Sequence, residues 1–525
     1  MNKFIAKFGD QILGVLCGFD RLVLRGTLRA ICYPQGMEGY LSGSSVLLKD
    51  FARHVHEVSA RLKGASLAGA QNLGRKIKYL ASPQLDKEQI ARSLATEQKV
   101  TEGLVCVLTS VEPCQSFEVH RNRETKKLEL VSRLRKCLFL YHYSIHPVFG
   151  FMNARIQTWF PFSIQICLNG REWLARQMDA EGLRYVRQDN CFPWIEDFAR
   201  AQKLMQGQLR VNWPKLLQAI ARQLNPIHEE IFRQVPLDYY WTVHQNEWAS
   251  DIAFRDAAVL RRLHPLLILH AVTHFGSPQV LRFLGRRTRQ DGQVSRSFQG
   301  EATTDLRERQ EGVRIKHAMN GNSLKLYDKA YTAVGSILRP EVTLNNPADL
   351  RVYRPKEGDP KGPKAWRPLR RGIADLHRRA QLSQQATDRY LEALAGVDDS
   401  TRLEELTRPL ERPVTWKGKR VRPLHPFQGP DAALLEAVGK GEFLLNGFRN
   451  KDLQAVFFTQ APEPAQVKRR RSAWVSRQIR LLRAHSLIRK VPRENRYHVT
   501  ASGRRLITAI LAARKATVSQ LSKVA

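Results

Sequence analysis

Apolar residues recur along this chain at two spacings, and the switches between them mark out its elements. Over residues 43–91 the spacing is helical, with Leu47, Leu48, Phe51, Val55, Val58 and Leu62 three and four apart. From Leu104 the period drops to two, and segments 104–109, 116–120, 127–131, 136–145, 151–159 and 163–169 read as successive strands. Asn122, Arg123 and Glu124 form a hairpin connector, and Asn169-Gly170 ends the last strand before a helix over 171–180. Alternation sets Phe139, Tyr141 and Tyr143 on one strand face and Leu138 and Leu140 on the other, which predicts an aromatic-rich interior. The run Gln157 to Phe162 is expected as a packed sheet edge turned by Pro161, in preference to a platform for stacked bases.

Helical spacing returns over 213–283, interrupted by strand-like residues 239–243. Ser277-Pro278 marks a helix start, and the arginines Arg286, Arg287 and Arg289 follow that helix. Four alternating segments, 300–307, 313–319, 323–329 and 337–344, predict a second sheet with a hairpin turn at Asn320-Gly321-Asn322. Residues 354–368, rich in Pro, Gly, Lys and Arg, read as an extended basic connector. Helices over 373–395 and a proline-rich link over 409–430 follow.

Beyond that link the expected order is a helix over 431–438, a second over 450–457, a third over 468–485, strands over 488–491 and 496–499, and a last helix capped by Thr500. In the third helix Val475, Ile479 and Leu482 share the core face, which turns Arg470, Arg477 and Arg480 outward. This is winged-helix order, and arginines on one helix in a major groove reach guanine edges or phosphates. Arg489, Lys490, Arg493 and Arg496 of the hairpin lie along the backbone or in the minor groove. The segments 481–490 (LLRAHSLIRK) and 497–504 (YHVTASGR) resemble the corresponding part of MarR-like winged-helix regulators. That resemblance implies duplex DNA binding by residues 431–525, which are expected to fold alone.

The expected fold class is therefore α+β and multidomain, with antiparallel sheets, helical segments and a C-terminal winged helix. Its parts are a helical region over 1–100, an antiparallel α+β domain over 101–210, a helical region over 211–295, an antiparallel sheet over 296–350, a connector with helices over 351–430 and the DNA-binding domain over 431–525. A chain of 525 residues is too long for one ordinary core.

Charge sharpens the functional reading. A formal charge of +36 needs a polyanion to offset its self-repulsion, and nucleic acid is the usual one: DNA, with RNA as the alternative. The chain holds no apolar run of eighteen residues, so no membrane partner is expected. Apolar residues 12–19 are bracketed by Asp10 and Asp20, unlike a signal peptide, and a cytoplasmic location is expected. Seven cysteines without a C-x-x-C pair suit free thiols in a reducing compartment and not a zinc finger.

Candidate chemistry gathers on the second sheet. One face holds Ile315, His317, Leu324, Leu326, Leu338, Val342 and Leu344, the expected core. The other collects Arg314, Lys316, Lys325, Tyr327, Lys329, Arg339, Glu341 and Thr343, extended by Glu301, Thr303, Asp305 and Arg307. Such a face can hold a phosphodiester with Lys316, Lys329 and Arg339 while Glu301, Asp305 and Glu341 bind Mg2+ or Mn2+. It can instead use Tyr327 as a phosphotyrosine-forming nucleophile beside Lys325 and Glu341. The plainer expectation, which we favour here, is a solvated surface that grips nucleic acid and uses its carboxylates to orient arginines.

The segments KLYDK (325–329) and LRPE (338–341) resemble strand motifs of rolling-circle replication initiators of plasmids and filamentous phages. Those initiators also carry paired metal-binding histidines on a strand. The one His-x-His here, His54-Val55-His56, falls in the helical segment. His270 and His274, four apart in an apolar helix, are expected as packed histidines. The chain as a whole is similar to a family of basic bacterial proteins associated with mobile elements. QTWFPF (157–162), NGREWL (169–174), FLGR (283–286), KLYDK and the winged helix carry that similarity, which names no activity. The expectation is a DNA-binding protein of a mobile or replicative element with strand cleavage or transfer. A non-catalytic transcriptional regulator or a structured-RNA-binding protein is the alternative.

Overall fold

The computed structural model describes residues 1–286, 301–309, 312–348, 350–356, 358–359, 361–397, 403–458, 464–491 and 494–517. Its strands are β1 (Ile12–Thr27), β2 (Lys76–Tyr79), β3 (Gly103–Arg121), β4 (Leu128–His146), β5 (Gly150–Gln157), β6 (Ile164–Asn169), β7 (Tyr185–Gln188), β8 (Cys191–Ile195), β9 (Tyr240–Phe254), β10 (Ala302–Arg309), β11 (Gly312–Met319), β12 (Asn322–Thr332), β13 (Gly335–Leu344), β14 (Arg351–Arg354), β15 (Ala365–Pro368), β16 (Val414–Trp416), β17 (Lys419–Val421), β18 (Phe448–Arg449), β19 (Ile488–Lys490) and β20 (Arg496–Val499).

The strands expected in two separate sheets lie in one. Eleven of them run in the order β10-β11-β12-β13-β9-β1-β6-β5-β4-β3-β2. Neighbours are antiparallel except β2 and β3, which are parallel, so the sheet is mixed where an antiparallel one was expected. The join is made by β1 and β9, which pair with each other, with β6 and with β13. Neither was expected as a long strand: β1 was placed in a helical region, and β9 was seen only at 239–243. β1 is covered on both faces along most of its length, so its apolar residues run on without alternation, while β9 breaks its pattern beyond Val243 with polar residues such as Asn246, Ser250 and Asp251 that bond inside the protein. Glycines let the covering helix Phe198–Gln206 approach β1, since a Cβ at Gly14 would lie 2.2 Å from Phe198 and one at Gly18 2.3 Å from Met205.

On the opposite face lies the helix Leu376–Leu394. Its Ser383, Gln384 and Thr387 meet alternate residues of β9: Asn246 donates to Ser383 at 3.3 Å, Trp248 to Gln384 at 2.9 Å, and Ser250 and Thr387 lie 3.0 Å apart. The helix Ala257–His274 packs on the apolar side of β11 to β13, where Ile315, His317, Leu324, Leu326, Leu338 and Val342 are fully buried as their parity predicts. Toward the other end of the sheet, the segments expected as short strands merge. Residues 104–109 and 116–120 belong to the nineteen-residue β3, and 136–145 and, from Leu128 on, the segment expected over 127–131 belong to the equally long β4. Gln157 to Phe162 forms a packed turn, with Phe160 and Phe162 buried and the Gln157 amide donating to the Trp159 carbonyl at 2.9 Å.

The C-terminal segment comprises helices Gly429–Val438, Gly441–Asn446, Asn450–Phe457, Ala465–Ala484 and Ala501–Lys515 with a small sheet in the order β18-β20-β19. Val475, Ile479 and Leu482 are buried. The segment shares its apolar core with Leu267, Leu324 and Tyr390, and the buried Arg504 reaches the Phe275 carbonyl at 3.5 Å. The interior therefore continues into the main sheet, where a separately folding domain was expected. Thr500 Oγ1 accepts from the Gly503 N–H at 2.9 Å, the N-cap bond the sequence implied. Thr500→Ala should cost about 0.5–2 kcal/mol, read as faster amide exchange at the start of the last helix. Unchanged exchange there would show that the cap contributes nothing. Among the described residues, no helix is long and apolar enough to cross a membrane.

Candidate functional site

The register of β12 and β13 sets Lys325 opposite Glu341 and Tyr327 opposite Arg339 on one face, with Asp251 of β9 beside Arg339. Over β13 this face is not solvated, whereas toward β10 it opens to solvent at Asp305 and Arg307. The hairpin of β7 and β8 and the start of the helix Gly170–Ala180 lie over it, leaving Arg339 and Arg171 with no exposed surface and Glu341 nearly none. Arg339 Nη2 donates to Asp251 Oδ2 and to the Asn190 carbonyl, both at 2.7 Å, and Nη1 donates to Asp20 Oδ2 at 3.3 Å. Arg171 Nη2 lies 3.0 Å from Asp251. Its helix is begun by Asn169, whose side chain accepts from the backbone N–H groups of Arg171 and Glu172. Asn190, in the β7–β8 turn, donates to Asp20 at 2.8 Å and accepts from Lys329 at 2.7 Å. Lys325 Nζ donates to Glu341 at 2.7 Å, and the Tyr327 hydroxyl donates to the other oxygen of the same carboxylate.

Electrostatics divide the carboxyls. Burial pushes Asp251 up, but Arg171 and Arg339 hold it below its ordinary value. Burial likewise raises Glu341, and Lys325 and Arg339 bring it back below the usual range. For Asp20 burial outweighs Arg339 and Arg171, and for Glu247 burial is reinforced by Glu341 and Asp20, so both are raised. Burial and the Glu341 charge lift the Tyr327 phenol far up, which keeps it protonated at rest. A depressed carboxyl stabilises above its unfolded value of about 3.9 and loses that contribution as pH falls through the folded value; a raised one favours folding at low pH and loses its contribution as pH rises through the folded value. Asp251→Asn should therefore lower the urea midpoint at pH 7 more than Asp20→Asn does. Equal losses would show that the two carboxyls are not distinguished in this way.

Beside the cluster is a cavity of about 190 Å³ lined by Asp20, Arg21, Asn190 and Glu247, with Arg92 of the helix Lys87–Glu97. In the sequence Asp20 stood out only as the bracket of an apolar run and Asp251 was passed over, although Asp20 as the one carboxylate of β1 was a usable signal. Arg171 was marked only as part of the run 169–174 and at the start of a helix, and nothing in the sequence marked Asn190.

The other expected residues are placed differently. Cross-strand partners run Asp305, Lys316, Lys325, Glu341, so Asp305 and Glu341 are three strand spacings apart, about 14 Å. Glu301 is exposed just before β10. These three carboxylates do not converge on one ion, and among the described residues no group of three or more His, Cys, Asp or Glu is arranged to hold a metal. Arg339, expected to grip phosphate, is spent inside the protein; Lys329 is half-buried against Asn190, and Lys316 is half-buried between Asp305 and Lys325. His54 stacks with Phe160 and His270 stacks on His274, so these three are packed, while His56 is exposed and meets Trp159 edge-on.

The second candidate surface is the helix Ala465–Ala484, whose twenty residues carry seven cations and no carboxylate. Arg470, Arg477 and Arg480 are exposed, as are Arg489 and Lys490 on β19. Arg496 is half-buried 3.7 Å from Glu494, and Arg493 lies outside the described residues. Arg471 covers the Phe458 ring at 4.6 Å, which fixes that turn of the helix against its neighbour.

Fold and site together define a mixed α/β protein with an ion-paired cluster buried on one large sheet and a cationic helix near its C-terminus. No family model, curated protein or solved structure matches the chain.

Proposed function

We propose that this is a nucleic-acid-binding protein of a mobile or replicative element that docks on duplex DNA as a winged helix, with Ala465–Ala484 in the major groove and β19–β20 as the wing. The observation that carries this reading is the division of that helix: Val475, Ile479 and Leu482 are buried while Arg470, Arg477 and Arg480 stand in solvent. A groove about 12 Å wide admits one such helix. The test uses the full chain and duplexes selected from a random-sequence pool. The Arg477→Ala/Arg480→Ala double variant should lose about 1–3 kcal/mol for each base contact removed, and its affinity should depend less steeply on salt. Wild-type affinity and sequence preference in the double variant would take the helix out of the groove. Competition by duplex RNA as strong as by DNA would favour the structured-RNA alternative.

A second reading, strand cleavage or transfer at the buried cluster, has its own support. A nucleophilic catalyst needs its base within hydrogen-bond reach, and Tyr327 already donates to Glu341.

A further inference from the structure

Residues 351–368, expected as an extended connector, contain a two-stranded ribbon, the antiparallel pair β14 and β15. The chain leaving it runs along β9, where the Val243 N–H donates to the Arg371 carbonyl at 2.8 Å and Thr242 bridges Gly372. Arg371 thereby stands beside a row of directly paired residues: Thr242 of β9, Arg25 of β1, Gln165 of β6 and Arg155 of β5. Paired residues share one face. Alternation puts Arg25 on the same face as Arg21, which pairs with Glu247, so this is the face that carries Glu341 farther along. His244 has no partner on β1, because Val23 pairs with Gln245 and Leu24 with Val243, and such a bulge re-aims the side chain it frees.

This stretch of the face is open. Arg25 and Arg371 are exposed, and Thr242 and Gln165 are half-buried. The helix Lys87–Glu97 overlies β4 and β5 on one side, with Lys87 Nζ 5.0 Å from the centre of the Tyr141 ring and the Arg92 guanidinium 4.2 Å from that of Phe151. The β7–β8 hairpin overlies β13 on the other, so the arginines line the floor of a groove. Their charge is not offset. Among the described residues neither Arg25 nor Arg371 forms an ion pair. The carboxylates at the margins are engaged, Glu112 by Arg155 at 3.1 Å and Tyr141 at 2.5 Å, and Asp375 by Arg370 at 3.1 Å and Arg378 at 2.6 Å. Loss of solvent, and then the charges of Arg25, Arg371 and Arg155, hold the His244 imidazole below its ordinary value. Like charges gathered on a rigid sheet destabilise the empty protein and find their offset in an anion. A guanidinium fork matches the free oxygens of a phosphodiester, and a basic groove tracks the backbone of one strand.

We infer that this groove on the central sheet binds the backbone of single-stranded nucleic acid, with phosphates lying against Arg25 and Arg371. The inference rests on the reading of the chain as a nucleic-acid-binding protein and is independent of the duplex-docking helix. The test measures binding of the full-length protein to labelled dT20, rU20 and a 20-base-pair duplex over a range of salt concentrations. Arg25→Ala/Arg371→Ala should lower the single-strand salt slope by about 0.7 for each arginine and leave the duplex slope unchanged, while Arg25→Lys/Arg371→Lys, which keeps both charges, retains most of it. Lys49→Ala/Lys63→Ala removes as much charge on and just before the helix Phe51–Asn72, which packs on the other face of the sheet at His142, and should leave all slopes unchanged. All four side chains are exposed, so the variants should keep the wild-type thermal midpoint. A loss on dT20, rU20 or both supports the groove and names the strand it takes. A wild-type slope in Arg25→Ala/Arg371→Ala on both oligomers, an equal loss on the duplex, or an equal loss in Lys49→Ala/Lys63→Ala overturns the groove alone. Failure of the wild type to bind any of the three overturns the nucleic-acid reading and the groove with it.

Discussion

Arg339→Ala is expected to lower stability by about 3–5 kcal/mol, among the largest losses for a single substitution in this sheet. The guanidinium is wholly buried and serves Asp251, Asp20 and the Asn190 carbonyl at once. Removing it leaves Asp251 and Asp20 in a low-dielectric interior with Arg171 as their remaining guanidinium partner. Lysine is not a substitute, because a point charge cannot engage both Asp251 oxygens and a carbonyl in the plane of a fork. Urea denaturation of Arg339→Ala and Arg339→Lys, followed by tryptophan fluorescence, reads the loss. A midpoint within experimental error of wild type in Arg339→Ala would show that the cluster does not hold β13 to β9 and β1.

Tyr327→Phe is expected to abolish a covalent protein–DNA adduct if the cluster cleaves a strand. In that step the Tyr327 oxygen forms a bond to phosphorus, its proton passes to Glu341, and the bond to the departing sugar oxygen breaks, that oxygen taking a proton from water. Glu341→Gln removes the proton acceptor and should slow adduct formation by about 10²–10⁴-fold. It also leaves Lys325 without its carboxylate, so its thermal midpoint has to be measured alongside. Labelled single- and double-stranded DNA with Mg2+ or Mn2+ supplies the assay. An adduct that persists in Tyr327→Phe excludes that nucleophile. No cleavage by the wild type with either metal, together with weaker binding by Lys325→Ala, would make the face a grip.

The parts of this molecule that were legible in sequence are those governed by local rules. Parity along β12 and β13 separated Leu324, Leu326 and Val342 from Lys325, Tyr327 and Glu341, and the structure keeps that division. Thr500, Asn169 and the residues around Asn320 announced caps and turns in the same way. Long-range pairing was the illegible part. Nothing near Ile12 or Phe254 says that strands more than two hundred residues apart lie side by side, and β1, covered on both faces along most of its length, loses the alternation that would reveal it. The polar face was expected in solvent because its cover, the hairpin around Asn190, comes from well over a hundred residues upstream of Arg339. The ribbon of β14 and β15 was hidden by its brevity, four residues to a strand in a Pro- and Gly-rich stretch.

The central place of β1 sets a timetable for synthesis. Its partner β6 is complete at Asn169, but β9, which must close its other edge, ends at Phe254. At roughly 5–20 residues per second, the ribosome needs about 4–17 s to cover that interval. For that time β1 presents an unsatisfied row of backbone donors and acceptors on an apolar strand, and β9 in turn waits for β13. A nascent chain stalled between these points is the state in which a chaperone has most to hold, and the state from which two copies would most readily join edge to edge.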